Sequence, residues 1–231
     1  MHRLLIVIGA GALALGGCGG GDSPSGGKSA SAPKTASTAA ASRSGCAKVA
    51  TPAPKPDGGQ KRPTGKLAAG KTYEVTMTTN CGSFTIRVDQ KRSPKTAASF
   101  VSLARKGFFD GTTFHRIVPG FVIQGGDPTG TGQGGPGYST LDVPPSSATY
   151  TRGVVAMAKT GSEAPGTAGS QFYVVTGADA GLPPEYALLG KVTKGLSVTA
   201  KIDKLGDPAS AETGTPLQPV VIEKATVAEK G

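Results

Sequence analysis

Beyond residue 66, apolar and polar side chains take turns along the chain. Tyr73, Val75 and Met77 alternate with Glu74, Thr76 and Thr78, Asn80, Cys81, Gly82 and Ser83 form a turn signal, and Phe84, Ile86 and Val88 resume the alternation. Period-two patterning on both sides of a short polar turn predicts a hairpin with one buried face. The period then lengthens. Ala97, Phe100, Val101 and Ala104 recur at helical spacing, with Ser93 suited to the N-cap, Pro94 to the first helical position and Gly107 to the stop, so a helix is predicted between them. Short apolar runs at 114–118, 121–124, 154–158 and 172–176, separated by glycine-rich loops, read as strands. A second helix over 195–204 and a last strand over 219–227 close the chain. Many short strands with only two helices predict a mainly β protein, built as a closed antiparallel barrel.

The part before residue 66 reads differently. Met1, His2 and Arg3 lead an apolar run from Leu4 to Leu15 that is too short for a membrane-spanning helix, which needs about 20 residues, and residues 1–17 are read as an export signal. Leu15, Gly16, Gly17 and Cys18 then have the spacing of a bacterial lipobox. That resemblance implies lipid on Cys18 and anchoring to the outer face of the bacterial cytoplasmic membrane. Residues 18–65 are rich in Gly, Ser, Ala, Thr, Pro and Lys with almost no bulky apolar side chains, the composition of a disordered tether. Residues 66–231 form the domain. Of the formal net charge of +10, the segment from Gly19 to Gly65 carries +5, seven Lys and Arg against two Asp. A basic tether beside an anchored end suits an anionic lipid surface. Nucleic acid is set aside, because basic and aromatic residues do not interleave on a common face. With Cys18 lipidated, Cys46 and Cys81 remain as an even pair and are expected to form a disulfide in an oxidising compartment.

Candidate chemistry is concentrated in the run FHRIVPGFVIQGGD at 114–127, which sets Arg116 among apolar residues and ends at a glycine-rich turn. This run with its continuation PTGTG, GSQFYVVT at 169–176, LLGKV at 188–192 and the preceding helix resembles a cyclophilin-type peptidyl-prolyl isomerase. The resemblance covers about residues 70–228. It implies an eight-stranded antiparallel barrel capped by two helices, with the active groove on its outer face. It also implies isomerisation of X-Pro bonds in proline-containing polypeptides without a cofactor; the export signal makes exported or envelope proteins the expected clients, and a monomer is the default expectation. Arg116 matches the family's catalytic arginine. Phe121, Val122, Tyr173 and Leu182 match its proline pocket, Gln124 and Gln171 its backbone-binding positions, and Met157, Ala158, Lys159 and Tyr186 further groove positions.

These residue types suit the reaction. Amide resonance sets a rotational barrier of about 18–20 kcal/mol, and X-Pro bonds interconvert over tens of seconds or more. No bond has to break. When the amide twists, the prolyl nitrogen regains its lone pair, and a guanidinium aimed at it or at the carbonyl stabilises that state. An apolar slot holds the ring while the acyl side turns.

Some positions depart from the family pattern. Gly181 stands where many members carry Trp, which counts against tight cyclosporin binding, and Tyr173, Lys159 and Tyr186 stand where Phe, Asn and His are frequent. The Tyr173 hydroxyl is expected at the pocket edge. His115 lacks a partner for metal or acid–base work and is read as positioning its strand. GTGQGG at 130–135 matches a nucleotide-loop pattern but opens no helix, and Ser170 has no histidine partner. Two other classes stay open on sequence alone: a chaperone-like module that captures proline segments with weak turnover, and an envelope structural or adhesion protein.

Overall fold

The computed structural model describes residues 45–210 and 213–231. The signal segment 1–17, Cys18 and the tether up to residue 44 lie outside the described residues. The hairpin is β1 (Thr72–Thr79) and β2 (Gly82–Val88), and the first helix is α1 (Pro94–Arg105). There follow β3 (Thr112–Thr113), β4 (Arg116–Val118), β5 (Val122–Gly125), β6 (Thr140–Leu141), β7 (Val154–Met157), β8 (Thr167–Ala168), β9 (Phe172–Val175) and β10 (Leu188–Lys194). The chain ends with α2 (Leu196–Asp203), a short 3-10 turn (Pro208–Ser210) and β11 (Val221–Lys230).

Nine strands form one antiparallel sheet in the order β3-β11-β1-β2-β10-β7-β9-β5-β4, while β6 and β8 pair separately. The sheet curls into a half-barrel rather than the closed eight-stranded barrel expected from sequence. Its terminal strands β3 and β4 have two and three residues, too few for a closing ladder. Among the described residues a single isolated bridge, Thr113 with Asp127, links β3 to the end of β5. The concave face is filled by Val75, Met77, Phe84, Ile86, Ile117, Ile123 and Val174 together with Phe100, Val101 and Leu103 of α1. Phe172 sits at its centre, edge-on to Phe100, Phe109 and Phe114 at 5.3, 5.9 and 5.9 Å. Each such pair adds about 0.5–1.5 kcal/mol to area burial.

Ser93 occupies the N-cap of α1 but makes no side-chain cap hydrogen bond. The donor it would satisfy, Thr96 N–H, is taken instead by Asp142 Oδ2 at 2.7 Å, so a carboxylate from a distant loop faces the positive helix end.

Residues 45–65 have no regular structure, yet they form a strap along the domain rather than a free tether. Cys46 is disulfide-bonded to Cys81, 35 residues on. Beside it Ala47 N–H donates to Asn80 O, and Asn80 Nδ2 donates to Ala47 O, both at 2.7 Å. Lys55 Nζ donates to the carbonyls of Gly107, Phe108 and Asp110 just beyond α1. Gly58 and Gln60 N–H donate to Gly135 O and Pro136 O, each at 3.0 Å, and Gly135 N–H returns to Asp57 Oδ1 at 2.8 Å. Arg62 reaches Ser139 O and lies 5.7 Å from the Tyr138 ring centroid. The disulfide, backbone pairing and the side chains of Lys55, Asp57 and Arg62 hold the strap, so its scarcity of apolar side chains does not set it free.

Replacing both Cys46 and Cys81 by Ser should lower unfolding stability by about 3–4 kcal/mol, from the loop the bond closes in the unfolded chain. Urea denaturation of the two proteins measures it. An unchanged midpoint would mean that the disulfide adds nothing to the fold.

Candidate active site

Strand register decides which side chains meet. Arg116 of β4 lies opposite Gln124 of β5, Gln124 opposite Tyr173 of β9, and Tyr173 opposite Ala156 of β7. Directly opposed residues share a face, so these four form one row across the outside of the sheet. The row beside it, Ile117, Ile123, Val174 and Val155, faces the core.

Under the outer row lies a second, smaller apolar cluster. Val122, Tyr150, Ala156, Tyr173, Val175 and Leu188 are its buried members, and Phe121, Ala158, Leu182 and Tyr186 pack on it partly exposed. Phe121 and Leu182 are thus partly exposed members packed on the cluster that buries Val122 and Tyr173. Arg116 is half-buried beside Phe121, its guanidinium carbon 5.9 Å from the ring centroid. Burial lowers its pKa from the ordinary value, with Tyr186 opposing. A guanidinium nevertheless stays charged at neutral pH. Among the described residues no carboxylate forms an ion pair with it. Nor, among the described residues, does its side chain donate a hydrogen bond, its contact being the Phe121 ring. Gln124 Nε2 donates to Gln171 Oε1 at 3.0 Å, and Gln171 Nε2 donates to Gly132 O and Gly134 O at 2.9 Å, so each glutamine amide is oriented by the next group.

Three expected positions differ. Met157 is opposite Phe172, faces the core and is 1% exposed, so it is no groove residue. The Tyr173 hydroxyl is not at an edge. The residue is 4% exposed, the oxygen has no hydrogen-bond partner among the described residues, and burial raises its pKa, with Tyr150 and Tyr186 adding to the rise. Lys159 has a side chain only 3% exposed. Its Nζ pairs with Glu185 Oε2 at 3.1 Å, donates to Thr160 O and Glu163 O, and lies 5.5 Å from the Tyr186 ring centroid. It joins two loops, while Ala158 and Tyr186 pack partly exposed on the smaller cluster.

Supporting residues carried no sequence signal. Tyr150, fully buried, donates its hydroxyl proton to Tyr186 O at 2.8 Å and accepts from Tyr186 N–H at 3.0 Å, pinning the loop that brings Leu182. Asp203 of α2 accepts from Gly120 N–H at 3.0 Å and from Thr176 Oγ1 at 2.6 Å, fixing the turn before Phe121. Asp127 organises the GTGQGG loop. Its Oδ1 accepts from Thr129 N–H at 2.7 Å and its Oδ2 from Gly132 N–H at 2.5 Å. A Cβ at Gly134 would fall 2.2 Å from Oδ1, which requires glycine there. The loop's donors thus turn to the protein's own carboxylate, and Ser170 Oγ donates to Gly126 O at 2.7 Å in the same region. Burial pushes the Asp127 carboxyl up, but the hydrogen bonds from Thr129, Gly134 and Gly132 more than offset it and leave its pKa below the usual range.

The fold is thus a mainly β sheet with two helices, carrying on its outer face a small apolar cluster and a guanidinium with no ion-pair partner among the described residues. Residues 74–227 match the family model described as Cyclophilin type peptidyl-prolyl cis-trans isomerase/CLD. The chain is 37% identical over 162 residues to peptidyl-prolyl cis-trans isomerase CYP18-2 of Arabidopsis thaliana, covering 68% of this chain and 95% of that protein. It is 36% identical over 172 residues to a probable peptidyl-prolyl cis-trans isomerase A of Mycobacterium bovis, covering 68% and 92%. The crystal structure of a cyclophilin type peptidyl-prolyl cis-trans isomerase from Cryptosporidium parvum aligns with a TM-score of 0.61 and 30% identity, covering 68% of this chain and 98% of that one. The chain belongs to the cyclophilin-type peptidyl-prolyl cis-trans isomerase family and is an isomerase of that type.

His115 adds a pH dependence. Both ring nitrogens are buried, and burial lowers the pKa, with Asp127, the Thr113 backbone and Gln171 opposing and Arg116 adding to the drop. The unfolded chain then binds the proton more readily, so stability is full above about pH 6.5 and is lost as pH falls towards the depressed folded value. Asp127 acts only lower, in the carboxylate range. Between pH 7.5 and 5.5 the wild type should therefore lose more stability in urea denaturation than His115→Gln. Equal losses would contradict a neutral, buried imidazole.

Proposed function

We propose that this isomerase twists X-Pro bonds by aiming Arg116 at the prolyl nitrogen or the neighbouring carbonyl, with the proline ring in the slot of Phe121, Val122, Tyr173 and Leu182. Gln124 and Gln171 take the substrate backbone. The observation that carries the reading is Arg116 itself, half-buried, unpaired among the described residues and in register with Gln124 and Tyr173. A preset charge in a partly dry groove needs no reorganisation as the amide loses resonance. Each 1.36 kcal/mol of preference for the twisted state gives about tenfold in rate. A proline-containing ligand is supported by the related Cryptosporidium parvum enzyme, of which a crystal structure was determined in the presence of the dipeptide Ala-Pro.

The setting we propose is outside the cytoplasm, on exported or envelope proteins, with the chain held at the membrane by lipid on Cys18. Support comes from the signal-like start, the lipobox spacing and the disulfide between Cys46 and Cys81. No helix among the described residues is long and apolar enough to cross a membrane.

Exchange spectroscopy on an Ala-Pro peptide with the full chain should show catalysis that falls about 10²–10³-fold in Arg116→Ala, the range for removing one preorganised donor. A variant within twofold of wild type would refute the role given to Arg116. Cys18→Ala should move the protein from the membrane fraction to the soluble exported fraction, and unchanged membrane association would refute the anchor.

A further inference from the structure

We propose that the strap at 45–65 completes the substrate site, and that Asp57 makes the pocket beside the proline slot selective for a basic substrate side chain. The inference rests on the isomerase reading and adds a substrate class to it. A cavity of about 500 Å³ opens beside the outer row, and its lining includes Gln124, Gln171 and Ala158 at the groove end and Asp57 from the strap. Substrate backbone held by the two glutamines would place a neighbouring side chain in it.

Asp57 is fixed there by structure outside the family match at 74–227. Its Oδ1 accepts Gly135 N–H, and the strap's Gly58 and Gln60 N–H donate to Gly135 O and Pro136 O on the same loop. The backbones meet so closely that a Cβ at Gly137 would lie 3.0 Å from Gly58 Cα. The strap is thus a wall of the cavity, docked against glycine.

The charges in the lining set the preference. Three charged side chains line the cavity: Asp57, Glu163 and Lys159. Lys159 is buried and engaged by Glu185, by two carbonyls and by the Tyr186 ring, so its charge is neutralised within the loops. Asp57 and Glu163 are exposed carboxylates. Arg62 stands beside the lining residues Ser139 and Tyr138, engaged by the carbonyl of one and the ring of the other, so a lysine or arginine side chain entering at the Asp57 and Glu163 side meets two negative groups, whereas a glutamate there is disfavoured.

The test uses the full chain and peptides identical except for Lys, Leu or Glu at the second or third residue before proline. Dissociation constants are read by NMR titration and turnover by exchange spectroscopy. At one position the Lys peptide should bind about two- to fivefold tighter than the Glu peptide, as expected for partly exposed charge pairs, and the preference should shrink with added salt. In Asp57→Asn, which keeps an acceptor for Gly135 N–H and removes only the charge, the ratio should fall, and in Asp57→Asn with Glu163→Gln it should approach one. Equal binding of Lys and Glu peptides, or a preference undiminished in Asp57→Asn, overturns the proposal. A Lys preference in binding that depends on Asp57, with no acceleration of any peptide, would uphold it and refute the isomerase mechanism instead.

Discussion

The site depends on the register of β5 between β4 and β9. One residue row carries Arg116, Gln124, Tyr173 and Ala156 outward, and the next carries Ile117, Ile123, Val174 and Val155 into the core. A slip of one residue in β4 would bury the guanidinium and expose Ile117, because side chains alternate with period two. A buried unpaired charge is among the most unfavourable changes a core can suffer. Packing of the inner row therefore sets the placement of the outer one, and the same contacts that stabilise the domain aim Arg116.

Loops complete what the sheet begins. Asp203 ties α2 to the turn before Phe121, Tyr150 holds the backbone at Tyr186, and Asp127 gathers the amides of the 129–132 turn. Each anchor is a polar side chain whose partners lie mainly in loop backbone, so the groove is walled by segments without regular structure that are nevertheless fixed. That rigidity suits a reaction in which no bond breaks: the enzyme's task is to hold one twisted geometry better than two planar ones.

The hairpin, α1 and the strands β4, β5, β7 and β9 were legible in the sequence because alternation or helical spacing marks them and Pro94 and Gly107 punctuate the helix. Arg116 stood out for a similar reason, as one charge in an apolar run. Met157 did not separate from its neighbours. In β7 both faces are covered, by the core and by the smaller cluster, so Val155, Ala156 and Met157 are all buried and hydropathy cannot say which points where. The strap was hidden because carbonyls, glycine contacts and Lys55 hold it, and a composition reading registers none of these. β3, β6 and β8, two residues each, are too short for any period to show. Tyr150 and Asp203 act through tertiary partners, to which local pattern is blind.

The most direct test is a crystal structure of the protein with a short peptide containing Ala-Pro. The account predicts the proline ring over Val122 and Tyr173, between Phe121 and Leu182, with the Arg116 guanidinium facing the prolyl nitrogen or the preceding carbonyl. A proline ring bound away from that slot, or an Arg116 turned from the X-Pro bond, would contradict it.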